Sequence, residues 1–276
     1  MSIKYAYLGP AGTFTEAALQ KISSPSDQLI AHANVTAALD AVRNGECQKA
    51  LVPIENSVEG VVARTLDELA IGQPLVITAE TTLPVTFTLM TLSDKNPAEI
   101  KSIATHPHAE SQCRSFIAKN YPNAQVIESS STAAAAKGLS KGDYDAAIAG
   151  SNAAKNYDLK IIAENIGDNS GAVTRFVLVE KPGNQPKATG KDRTSLAVFI
   201  AVDHAGALLE ILNEFAKHQV NLTFIQSRPT GSQLGHYHFI IDAEGHIEDK
   251  PISAALSGLK EICEDIRFLG SYPQAK

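Results

Sequence analysis

The sequence predicts an α/β protein of two unequal domains, and three observations carry that prediction. Short apolar runs alternate with helix-period segments through about residue 180, the pattern of α/β layers with largely parallel sheet. The stretch Lys181–Arg193 (KPGNQPKATGKDR) holds two Pro, two Gly and four basic residues, with one small apolar side chain, so it reads as an exposed linker. Beyond it, residues 194–276 follow the β-α-β-β-α-β order of a ferredoxin-like fold. A chain of 276 residues has room for both domains.

In the first domain Ile3–Leu8 is an expected strand and Thr13–Lys21 a helix. Val35–Asn44 is a second helix, stopped by Gly45 in the left-handed conformation that helix ends favour. Ala50–Ile54 is a strand and Ala63–Ile71 a helix. Leu75–Ala79, Val85–Leu92 and Ile100–Ala104 read as strands, and Ala109–Lys119 as a helix. Gln125–Ile127, the helix Ala133–Leu139, Asp145–Ile148 and the strand Val173–Val179 complete the domain. A faint internal echo links Thr36–Ala38 through Gly45 to Ala50–Ile54 with Thr132–Ala134 through Gly142 to Ala146–Ile148. Two readings stand: chance likeness of β-α units, or two lobes whose corresponding loops face one cleft.

In the second domain Ser195–Val202, Leu222–Ser227, Gly235–Asp242 and Ile266–Leu269 are the expected strands. Leu208–His218 and Ile252–Cys263 are the helices, and Thr230–Gln233 a hairpin turn. Alternation puts His236, His238 and Ile240 on one face; two His at i and i+2 could hold a metal, but with no further ligand patterned beside them they are expected on the open face of the sheet.

Composition narrows the function. With 24 basic against 30 acidic residues the net charge is −6 and no basic run occurs, so the footprint of a nucleic-acid binder is missing. Cys47, Cys113 and Cys263 are too scattered for a disulfide framework and fit a reducing, cytoplasmic compartment. No apolar stretch approaches the ~20 residues of a membrane span, and the N-terminus runs straight into a strand without a signal-like apolar core.

Four polar clusters follow strands or open helices. Gly9-Pro10-Ala11-Gly12-Thr13-Phe14-Thr15-Glu16 forms a turn whose helix N–H groups would face an anion. Pro53-Ile54-Glu55-Asn56-Ser57-Val58-Glu59-Gly60 ends a strand with a carboxylate, an amide and a hydroxyl. Thr105-His106-Pro107-His108-Ala109-Glu110-Ser111-Gln112-Cys113 suggests metal ligation, but other ligands are too few to complete a site. Gln112 is expected in the first turn of the helix. Gly171-Ala172-Val173-Thr174-Arg175-Phe176 sets a guanidinium in an apolar strand, which needs a partner anion: a neighbouring carboxylate or a substrate's.

Together these motifs resemble the prephenate dehydratase family over essentially the whole chain. The resemblance implies a two-lobed catalytic domain like the type-II periplasmic binding proteins over residues 1–180, with lobes of roughly 1–78 with 165–180, and 79–164. It implies an ACT regulatory domain over 194–276, after the linker 181–193. It further implies decarboxylative dehydration of prephenate to phenylpyruvate, without a cofactor or metal, because the reaction needs no electron sink. Thr174, Glu55, Asn56 and Gln112 then carry the catalytic roles, with Glu55 a candidate acid. Arg175, Phe176, Ser57, Thr105 and Thr13 form the substrate-binding set.

In the second domain Gly206-Ala207-Leu208-Leu209 resembles the family's GALV-type effector motif and Gln226-Ser227-Arg228-Pro229 its ESRP motif. Together with Asn221, these imply a phenylalanine site and a homodimer or homotetramer. Departures from the pattern are Ala172 for a frequent Asn, Thr105 for Ser, Gln226 for Glu and Ala205 for Pro. They bear on the loop beside Thr174 and on the strength of feedback. Arogenate as substrate, and a non-catalytic sensor, are the competing readings.

Overall fold

A computed structural model of the chain describes residues 2–92, 96–183, 185–200, 204–231 and 237–275. In chain order the first part contains β1 (Lys4–Leu8), α1 (Phe14–Ile22), β2 (Gln28–His32), α2 (Val35–Arg43), β3 (Lys49–Asn56), β4 (Gly60–Val61), α3 (Ala63–Ile71) and β5 (Val76–Pro84). Then come β6 (Thr88–Thr91), β7 (Ser102–Thr105), α4 (Pro107–Gln112), α5 (Arg114–Asn120), β8 (Gln125–Glu128), α6 (Thr132–Leu139), β9 (Ala146–Ala149), α7 (Ser151–Asn156), β10 (Lys160–Ala163) and β11 (Val173–Glu180). The last part is β12 (Asp192–Ile200), α8 (Ala207–Lys217), β13 (Leu222–Pro229), β14 (Tyr237–Glu244), α9 (Lys250–Ile262) and β15 (Cys263–Pro273).

Three sheets result. One has the order β2-β1-β3-β11-β5 with β4 paired to β3, the second β10-β6-β9-β7-β8, and the third β13-β14-β12-β15. The chain passes from the first sheet to the second after β5 and returns between β10 and β11, so the first domain has two lobes. β5 runs on to Pro84, carrying the first sheet past the expected lobe limit at 78.

The echo in the sequence has a structural counterpart. Each lobe places a helix, α2 or α6, before a central strand, in the matching orders β2-β1-β3 and β8-β7-β9. Gly45 (φ 80°) and Gly142 (φ 83°) take the left-handed turn at the corresponding point.

The second sheet shows why its strands read as continuous apolar runs. Leu89, Ile103, Ala146 and Ile148 pack into one buried cluster, while Met90, Ala104, Ala147 and Ala149 pack into another. Successive side chains leave opposite faces, and helices cover both. The sheet is mixed rather than largely parallel, because β6 runs antiparallel to both β9 and β10. Four short elements, β2, β4, α7 and β10, were not expected. The six residues of α7 (SNAAKN) carry only two apolar side chains, and the four of β10 are too few to show a period.

By internal contacts the chain forms two compact units. One comprises Met1–Ala38, Leu51–Val61 and Thr82–Phe176; the other Leu39–Ala50, Val62–Thr81 and Val177–Lys276. In the second unit Leu196, Val198, Ile211, Phe215, Ile241, Ala255 and Leu259 form the core between the third sheet and its helices.

The opposite face of that sheet is not open. His238, Ile240 and Asp242 are fully buried, because α3 and β5 lie against it. Arg228 forks onto Asp67 at 2.7 and 2.8 Å, Arg267 reaches the Gly72 carbonyl at 2.6 Å, and Gly270 (φ 144°) packs so close to the Ile77 backbone that a Cβ would collide with it. The expected linker is partly ordered too: buried Asp192 accepts from the N–H groups of Thr189 and Gly190. His236 and the second half of the expected turn at 230–233 lie outside the described residues, as does the end of the expected strand Ser195–Val202.

Candidate active site

The polar clusters meet in the first unit, where β3 ends and β11 begins. Ser57 N–H donates to the Val173 carbonyl, and Val173 N–H donates back to Ser57 Oγ, each at 2.9 Å. One step along, Asn56 Nδ2 donates to Thr174 Oγ1 at 2.8 Å. One step further, Arg175 Nε lies 3.3 Å from Glu55 Oε2. The contacts step down one strand and up the other, so the pleat sends Asn56 and Thr174 to one face and Glu55 and Arg175 to the other.

The Asn56 amide has one permitted orientation. Its Oδ1 accepts from Val58 N–H and Glu59 N–H, both at 2.9 Å, which leaves Nδ2 for Thr174. With its oxygen already accepting, the buried Thr174 hydroxyl has its proton available to donate elsewhere. Ser57, by contrast, uses its hydroxyl to clamp the two strands. Phe176 is 1% exposed and belongs to the core. Arg175 is also buried, so an anion that reaches it must share or displace Glu55.

The second lobe adds Gln112. It was expected in the first turn of a helix starting at residue 109, but the helix starts at Pro107 and breaks at Cys113, so Gln112 is the last residue of α4. Its carbonyl accepts from Asp168 N–H at 2.6 Å, and its Nε2 donates to Glu59 Oε1 at 2.7 Å. Thr105 is buried with its hydroxyl donated to the Ile148 carbonyl at 2.8 Å.

The His-x-His pair is a helix start: His106 caps α4, its Nδ1 accepting from His108 N–H at 3.2 Å. Burial, and then His108, lower the His106 pKa. Burial raises the Cys113 thiol to about 12, which makes it a poor nucleophile or ligand.

At the α1 N-terminus Thr13 Oγ1 caps Glu16 N–H at 3.3 Å, and the Glu16 carboxylate takes Gly12 N–H of the preceding turn at 2.6 Å. Glu16 also accepts from Tyr7 Oη at 3.1 Å and from Asn156 Nδ2 at 2.7 Å. Burial first, and then the Glu16 charge, push the Tyr7 phenol up. Asn152 Nδ2 donates to the Thr13 carbonyl at 2.8 Å and Tyr157 Oη to the Ala11 carbonyl at 2.7 Å. Gly12 (φ 89°) permits this approach, since a Cβ there would lie 3.2 Å from Ala153. Thr13 and Glu16 thus fasten the lobes together. Glu16, Glu59, Asn152, Asn156 and Tyr157 were not expected at the site; Glu59 stood in a motif already singled out, four residues after Glu55.

With this geometry in place, comparison with known proteins decides the family. The family model for prephenate dehydratase matches residues 5–184, and that for the ACT domain matches residues 194–261. The chain belongs to the prephenate dehydratase family. A prephenate dehydratase from Amycolatopsis methanolica is 45% identical over 273 residues, covering 99% of this chain and 89% of the relative. One from Mycolicibacterium vanbaalenii is 44% identical over 283 residues, covering 97% and 90%. The crystal structure of prephenate dehydratase from Arthrobacter aurescens in complex with L-Phe is 48% identical, with a TM-score of 0.92, and covers 98% of this chain and 90% of that one. The chain is therefore an enzyme, a dehydratase domain followed by an ACT domain. No described helix is long and apolar enough to cross a membrane.

Proposed function

We propose that the chain converts prephenate to phenylpyruvate where Asn56, Thr174 and Gln112 converge, and that phenylalanine bound by its ACT domain regulates the step. The observation that carries the site assignment is the oriented Asn56–Thr174 hydrogen bond. Loss of the ring carboxylate supplies the electron pair that aromatises the ring as the ring C–O bond breaks. Carbon dioxide leaves, and the departing hydroxide takes up one proton to become water. Thr174 hydrogen-bonds that leaving oxygen. A threonine hydroxyl is a weak acid, so its part is orientation and relay, with the proton coming from solvent, since Glu55, the expected acid, lies on the opposite face of the strand pair. Gln112 supplies a neutral N–H toward the developing charge, and such a donor is worth about 2.7–4 kcal/mol when preorganised. Arg175, on the face opposite Thr174, supplies positive potential at the same strand end while paired with Glu55.

For the ACT domain, Gly206 (φ 100°) opens α8, and Gln226 folds its Nε2 onto the Ser227 carbonyl at 3.0 Å. In this reading Gly206, Ala207, Leu208, Leu209, Asn221, Gln226 and Ser227 line the effector site. β13 is an edge strand that carries exposed Ile225, with exposed Tyr237 of β14 opposite its end; pairing of two copies along this edge would bury Ile225.

A second substrate reading, arogenate, draws support from the partly exposed carboxylates of Glu55 and Glu59, which would suit its ammonium. One assay tests both. The purified chain is given prephenate or arogenate, with and without phenylalanine, and the aromatic product is followed by absorbance. Prephenate turnover altered by phenylalanine is expected. Turnover of arogenate alone reverses the substrate assignment, and calorimetry without phenylalanine binding at millimolar concentration removes the regulatory one.

A further inference from the structure

Glu59 links the two halves of the site. It lies between β3 and β4 of the first lobe. Its N–H donates to Asn56 Oδ1, helping to fix the amide that meets Thr174. Its carboxylate accepts from Gln112 Nε2 of the second lobe at 2.7 Å, and His108 Nδ1 lies 3.7 Å from the other carboxylate oxygen. One residue therefore touches both groups that the proposed chemistry uses, from opposite lobes.

A carboxylate can only accept, so it dictates which end of the Gln112 amide it meets. Nε2 must face Glu59, leaving the second N–H and Oε1 for other partners. Without the carboxylate, the amide could turn over and present its oxygen where an anionic substrate needs a donor. Gln112 is the last residue of α4, before the break at Cys113, and this contact gives its side chain a direction.

We propose that Glu59 is a positioning residue, orienting the Gln112 amide across the lobes in register with the Asn56–Thr174 pair. The proposal rests on the reading that Gln112 acts on substrate. Four variants test it: Glu59→Ala, Glu59→Gln, Gln112→Ala and the double variant Glu59→Ala/Gln112→Ala.

Glu59→Ala should lower kcat about tenfold with KM within about threefold, as a misdirected group does. Glu59→Gln keeps an oxygen acceptor but can also present its own N–H, so kcat should fall between wild type and Glu59→Ala. In the Gln112→Ala background, Glu59→Ala should add less than about twofold, because the two side chains act as one unit. Thermal midpoints should stay together. Wild-type kcat in Glu59→Ala overturns the proposal, as does an equal tenfold loss in both backgrounds or a Glu59→Gln variant as slow as Glu59→Ala. Full activity in Gln112→Ala overturns it too, by removing the residue positioned. That last result also sinks the assignment of Gln112, whereas failure at Glu59 alone leaves the loss in Gln112→Ala intact.

Discussion

At the end of β3, Glu55 and Glu59 leave 39% and 29% of their side chains in solvent, whereas Glu80 and Asp242 beside Arg193 in the second unit leave 3% and 1%. Both regions combine carboxylates, an arginine and hydroxyls. In the second unit the groups pair with one another, save for Arg193 Nε, which is buried without a hydrogen bond: Ser195 Oγ donates to Asp242 at 2.6 Å and shares a 2.7 Å hydrogen bond with Tyr272, while Arg193 lies 3.3 Å from Glu80 and 3.5 Å from Asp242. In the first unit the Thr174 proton and one Gln112 N–H have no partner among the described residues. Closed polar sets specify how elements pack; half-open ones are equipped to bind.

The strongest challenge to that contrast is Thr174→Val, which keeps the shape and removes the hydroxyl. The expected loss in kcat is about 10²–10³-fold, with the unfolding midpoint nearly unchanged. Turnover within a few-fold of wild type would remove Thr174 from the mechanism. Arg193→Met tests the closed set. It strands two buried carboxylates, and breaking such a pair costs about 3–5 kcal/mol. Urea unfolding should show that loss, and an unmoved midpoint would mean that the set contributes nothing.

The smallest effect concerns His238, fully buried between Arg228 and Phe199, with its ring stacked on Phe199 at 5.1 Å. Burial lowers its pKa; Arg228 acts the same way and Asp67 opposes. Unfolded histidine binds a proton below about pH 6.5, whereas the folded His238 does so only at lower pH. Unfolding therefore takes up a proton, and stability falls as pH drops below about 6.5. His106 is shifted in the same direction, so His238→Leu should reduce that slope without abolishing it. One proton accounts for at most about 1.4 kcal/mol per pH unit. A slope identical to wild type would refute the assignment.

Much of the architecture was legible because periodicity reports burial. The ACT strands and helices, and the central strands of both lobes, stood out as apolar runs or amphipathic stretches. β2, α7 and β10 did not, being too short or too polar to show a period. The site was legible as motifs, and Glu55, Asn56, Gln112, Thr174 and Arg175 were all singled out. Their partners were not. Glu59 bonds Gln112 across 53 residues and Asn56 meets Thr174 across 118, and no local pattern encodes such pairings.

The sequence by itself determined the family, the two-part plan and the residue types at the strand ends, since motif order and hydrophobic period are properties of the chain. Tertiary structure alone decided which faces those residues take. The pleat separates Thr174 from Arg175, α3 and β5 bury the sheet face that carries His238, and the Glu16 carboxylate is tied to Tyr7 and Asn156. Each outcome depends on what packs against an element, and burial of polar groups is resolved only when their partners arrive from elsewhere in the chain.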